Sequence, residues 1–199
     1  MGTRSSNSSL DEPGGAGTRG RSLAVSITNG GTDAPADLVR RLGDTLAEAG
    51  KVLGAFGEVR VRLVLDAEMA QAHEEFAGVP GTTDVLTFDL TDPEEDPIDG
   101  PTVALVSDQI KVAKIRRVDT DILVCVDEGK RQAAKRGHEL FHELLLYSLH
   151  GVLHCLGHDD HDEAAFAAMH DLEDAVLTRL GVGVVFRRDE QGSHDGGVA

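Results

Sequence analysis

HGVLHCLGHDDHDE (residues 150–163) places four histidines in fourteen positions. His150 and His154 are four apart. On an α-helix that spacing stacks the two imidazoles one turn apart on one face, where both can reach a single cation. Gly157 stands where a left-handed residue closes a helix, and it lets HDDH fold back toward the pair. The third ligand must come from that return. His161 is the expected one, because imidazole suits a borderline metal, with Asp160 the alternative and His158 and Asp159 also in reach. Three protein ligands leave a tetrahedral ion one position for water, which is the arrangement of a catalytic site rather than a structural one. His138 and His142 continue the four-residue stripe, but His142 lies about 12 Å of helix rise from His150, too far to share its ion. Both are read as surface residues or as supports of the ligands.

Working outward, the 3.6-residue period extends from about Asp127 through EGKRQAAKRGHELFHELLLYSLHGVLHCLG, with a break at Gly137. Its core face is Phe141, Leu144, Leu145, Leu149, Val152 and Leu156. Upstream, DILVCVD is a nearly continuous apolar run, the pattern of a strand buried on both faces. LAVSIT (23–28), GEVRVRLVLD and TDVLTFDL (83–90) read as three more strands, the second with one wet face. ADLVRRLGDTLAEAG, opened by Pro35 and ended at Gly50, and AEMAQAHEEFAG read as helices. TVALVSDQIKV suggests a further strand or hairpin, and EAAFAAMHDLEDAVLTRLG a last helix closed by Gly181. The expected fold is α+β, a small mixed β-sheet flanked by helices, with the histidine helix late in the chain.

At 199 residues the chain suits one domain, assigned to 21–187, with a disordered tail at 1–20 and a flexible one at 188–199. Two cysteines, Cys125 and Cys155, with no C-x-x-C spacing, suit a reducing compartment and read as core thiols. No apolar stretch approaches a signal peptide or a membrane span, so the expected location is the cytoplasm. A net charge of −16 argues against indiscriminate binding of nucleic acid. Local basic surface remains in KVAKIRR (111–117) and KRQAAKR (130–136).

H-G-V-L-H-C-L-G-H-D-D-H resembles the signature of the YbeY endoribonuclease family, the ribosomal RNA maturation factors. TTDVLTFDL (82–90) is similar to that family's T-D-V-L-S-F strand, DILVCVDEGKRQAAKRG to its strand and helix before the histidines, and AAMHDLEDAVL to its closing helix. The resemblance covers roughly residues 60 to 180. It implies one zinc ion per chain, RNA cleavage in ribosomal RNA processing, and RNA or ribosomal particles as partners. His150 and His154 carry over directly as ligands. His161 carries over with a one-residue bulge, whereas strict spacing would put Asp160 at the metal. The family's Tyr-Arg pair ahead of T-D-V-L is Phe76 and Ala77 here, so Lys130, Arg131 or the KVAKIRR patch would have to meet the phosphate, and 89–120 is longer than the family norm. His158 and Asp84 are candidates for moving protons. The H-x-x-x-H spacing is also zincin-like, which keeps a metallohydrolase acting on peptide as the alternative. Gly151, however, occupies the position of the zincin glutamate. A ribosome-associated metal protein with little catalysis is the third reading, suggested by Ala77 and the acidic balance.

Overall fold

The computed structural model describes residues 21–94, 97 and 100–186, so the expected tails at 1–20 and 188–199 lie outside the described residues. In chain order the elements are β1 (Leu23–Asn29), α1 (Ala36–Leu53), β2 (Ala55–Val64), α2 (Asp66–Ala77), β3 (Val85–Asp89), β4 (Val103–Val106), β5 (Gln109–Val112), β6 (Arg116–Cys125), α3 (Val126–Arg136), α4 (Leu140–Cys155) and α5 (Glu163–Arg179). The main sheet has the order β1-β2-β6-β3. Its first three strands are parallel, and β3 runs antiparallel to β6 at one edge, with Val85 opposite Val124 and Asp89 opposite Thr120. β4 and β5 form a separate hairpin. This is the mixed sheet with flanking helices that the sequence pattern predicts.

Alternation decides which face of the sheet is covered. Val59, Val61 and Leu63 of β2 and Val118, Thr120, Ile122 and Val124 of β6 are buried, facing α1 and α4. The other face is wet: Arg60 of β2 bonds to Asp119 and Asp121 of β6 at 2.7 and 2.5 Å. β6 is therefore not buried on both faces, and it begins five residues before the apolar run. Arg116, read from sequence as part of a basic surface patch, opens the strand with its side chain buried. Asp119 and Asp121 interrupt the apolar pattern there because both answer one cation of the neighbouring strand, Arg60. α1 likewise runs past Gly50 to a left-handed cap at Gly54. Gly50 lies inside the helix because a Cβ there would come 2.6 Å from Leu23 Cβ.

α4 is the core of the molecule. The six apolar positions read from its sequence are all buried, and so are Leu146, Tyr147, Leu153 and Cys155. Each large apolar side chain contributes roughly 1.5–3 kcal/mol by area, which fixes the helix against β6 and β3 on one side and α1 and α5 on the others. Its end is a Schellman turn: Gly157 N–H donates to His154 O at 3.0 Å and His158 N–H to Leu153 O at 3.1 Å, with Gly157 at φ 89°. At the other end His138 differs from its reading as a surface group. Its side chain is only 1% exposed, and Nε2 lies 2.6 Å from Glu143, which also takes two contacts from Arg136. A buried carboxylate at Glu143 requires those partners.

Candidate metal centre

Two neighbours orient the histidine pair. His150 Nδ1 is 2.9 Å from Glu173 Oε1, a carboxylate of α5 with no exposed side-chain surface. His154 Nδ1 is 3.1 Å from the carbonyl oxygen of His158, which the Schellman turn brings back over the helix end. A carboxylate and a carbonyl only accept, so each ring carries a proton on Nδ1 and turns Nε2 toward the cleft. The two Nε2 atoms lie 3.0 Å apart, with the ring planes at 86°. Two ring nitrogens that close need a positive charge between them, either a proton or a shared cation. Burial by itself lowers the His150 pKa, but Glu173 foremost and Asp160 next turn the net shift upward. His154 is shifted down, first by burial and then by His150.

The return loop supplies a carboxylate. Asp159 Oδ1 accepts from the backbone N–H of Asp160 at 2.8 Å and of His161 at 3.3 Å. That turn directs Asp160 inward, with Oδ2 3.6 Å from His150 Nε2 and Oδ1 4.0 Å from His154 Nε2. His150, His154 and Asp160 each offer a ligand atom within 4.8 Å of the others. His161 goes the other way: its side chain is 86% exposed and its Nδ1 meets Asp159. Asp159, Asp160 and His161 form a second, more exposed group of the same span. Two imidazoles and a carboxylate form a donor set that fits a borderline divalent ion, so this cleft can hold a metal.

A cavity of about 440 Å³ opens between α4 and the edge strand β3, lined by Asp84, Thr87, Asp89, His150, His154 and Asp160 among others. A second, of about 460 Å³, shares Asp84, His150 and Asp160 with it and extends to Gln132, Lys135, Tyr147 and Phe166. Asp84 thus borders the pair from both sides, and its Oδ1 is held by the Thr83 hydroxyl at 3.0 Å and the Val85 amide at 2.9 Å. His158, in contrast, lies in a different cavity, with Pro101, Ala104 and Leu105. Its pKa is lowered, chiefly by burial. Neither Lys130 nor Arg131 lines the cleft. Lys130 pairs with Asp33 at 2.6 Å, and Arg131 with Asp66 at 2.6 Å and Glu128 at 2.7 Å. Lys135, one turn further along α3, is exposed at the cleft, and no acidic side chain pairs with it among the described residues.

Sequence reasoning passed over Glu173 and His170. Glu173 Oε2 lies 2.5 Å from His170 Nδ1, so the carboxylate bridges two rings. Burial by itself raises the Glu173 pKa, and the bonds from His150 and then His170 bring the net shift down, so the group is ionised. A signal was present. Glu173 falls on the apolar stripe of α5 with Met169, Leu172, Val176 and Leu177, where an acid is expected only with a buried partner.

An α+β chain with a two-histidine, one-carboxylate cleft between its long helix and an edge strand is a candidate metalloprotein by fold and site. Residues 28–181 match the family described as Endoribonuclease YbeY, and the chain belongs to that family. The Endoribonuclease YbeY of Moorella thermoacetica is 36% identical over 165 residues, 80% of this chain and 99% of that protein. That of Bacillus licheniformis is 31% identical over 165 residues, 81% and 97% of the two chains. A Thermotoga maritima protein solved in solution aligns with 88% of this chain and 99% of its own, at 23% identity and a TM-score of 0.47. No described helix is long and apolar enough to cross a membrane.

Proposed function

We propose that this chain is a zinc-dependent endoribonuclease that acts in the maturation of ribosomal RNA in the cytoplasm. Its relatives carry the name endoribonuclease over nearly their whole length. The observation that carries the reading is the 3.0 Å approach of the two Nε2 atoms, each ring's Nδ1 being committed to an acceptor. His150, His154 and Asp160 would hold the ion, with Asp160 taking the place expected for His161. A bound divalent ion supplies a Lewis acid for a phosphoryl oxygen and makes water a stronger acid.

The remaining steps fall to this chain's own groups. Asp84, with Oδ1 already accepting two bonds, has Oδ2 as the atom that takes a proton at the cleft. Lys135 offsets phosphate charge where the family arginine is missing, since Lys130 and Arg131 are held by acids elsewhere. The peptidase alternative needs a carboxylate after the first histidine, and a Cβ on Gly151 would already lie 2.5 Å from Thr87 Oγ1.

The test is cleavage of a ribosomal RNA fragment and of an unstructured peptide by the same preparation, with and without chelator. Cleavage of RNA only, abolished by chelator and restored by zinc, is expected. Chelator-resistant cleavage, peptide cleavage, or binding to ribosomal particles without turnover would overturn the reading.

A further inference from the structure

Beyond the ligands and their immediate supports, α5 carries a ring whose placement the cleft alone does not explain. His170 is 8% exposed and lies flat on Phe186, with ring centroids 3.5 Å apart and planes 6° from parallel. Phe166 meets it edge-on at 4.2 Å. Its one polar contact of note is Nδ1 to Glu173 Oε2, and the opposite oxygen of the same carboxylate holds His150. The His150 and His170 rings face each other at 6.1 Å, 21° from parallel, with the carboxylate bridging their edges. A carboxylate with one partner can rotate about its last torsion; one pinned at both oxygens cannot.

We infer that His170 is a positioning residue for the metal centre: stacked on Phe186 and met at its edge by Phe166, it fixes the Glu173 carboxylate, which in turn holds the His150 ring with Nε2 directed at the ion. The inference rests on the proposed metal site. It concerns a residue outside the proposed ligand set, and it assigns the aromatic pair a purpose beyond packing. Phe186 belongs to the segment after α5, whose backbone is tied down by Asp174 Oδ1 through the amides of Val185 and Phe186 at 2.9 and 3.1 Å. The segment that follows α5 is thereby connected to the cleft.

Zinc affinity of the full chain, measured by competition with a chromophoric chelator, tests this alongside the visible spectrum of the Co2+-loaded protein. His170→Phe suits the aromatic surroundings and removes only the donor; it should weaken zinc binding about tenfold, the low end for an outer partner of a ligand, and change the cobalt spectrum. His170→Asn, whose amide N–H reaches where Nδ1 does, should restore both. Zinc binding by His170→Phe equal to wild type would refute the inference, as would His170→Asn being as weak as His170→Phe, since returning the donor would then not return the binding. Nitrogen NMR of the unaltered protein adds a check that needs no variant: His170 must carry a proton on Nδ1, and protonation on Nε2 alone refutes the inference. Failure of the wild-type protein to bind zinc at all would instead overturn the metal site itself.

Discussion

Gly151 passes Thr87 so closely that a Cβ on the glycine would lie 2.5 Å from the threonine Oγ1 and 3.0 Å from Ile122 Cδ1. α4 rests directly on β3 and β6 at this point, between the two histidines, and the close approach lets the edge strand form one wall of the cleft. Gly151→Ala should gain about 1 kcal/mol of helix propensity and lose about 1–3 kcal/mol to overpacking. A net loss of stability is expected in urea denaturation. Adding Thr87→Ala to the same chain should recover most of it, and equal losses in the single and double variants would show that the contact is not responsible.

The third ligand separates by elemental analysis. Asp160→Ala should lower bound zinc strongly, whereas His161→Ala, which alters an exposed ring, should leave it near the wild-type level. The reverse pattern would restore the imidazole reading of the motif.

Lys135 should be visible in the salt dependence of RNA binding. Removing one contact to a single-stranded phosphate lowers the slope of log K against log salt by about 0.7, so Lys135→Ala should raise KM, flatten that slope and leave kcat nearly unchanged. Lys130→Ala breaks a surface pair with Asp33 and should alter the slope less. Equal effects from the two lysines would remove the special role given to Lys135.

The thiols give a fourth check. Both cysteines are free and buried, and burial pushes the Cys155 thiol up to about 11. At pH 8 about one molecule in a thousand would then carry the thiolate, which is the reactive form. The folded protein should therefore react slowly with an aromatic disulfide reagent and release two equivalents once unfolded in urea. Rapid reaction of one thiol in the folded state would contradict the burial.

What could be read in advance follows from where the information lies. α4 and its glycine stop were legible because a local period and a cap residue specify them within one segment. The start of β6 was hidden because Arg116, Asp119 and Asp121 take their positions from β2 and from the fold around them, which no window of sequence contains. The same division runs through the site. His150 and His154 follow from helical spacing alone, while the choice between Asp160 and His161 depends on which way an Asx-type turn at Asp159 points. Glu173 and His170 lie about twenty residues downstream and meet the first histidine only because α5 packs against α4.

That last packing has a kinetic consequence. One ring of the proposed ligand pair is oriented from its own helix end and the other from the neighbouring helix, so the proposed centre is intact only while the two helices are docked. Undocking of α5 and escape of the ion become one event, and amide hydrogens along 169–177 should exchange with deuterium more slowly as zinc saturates the protein.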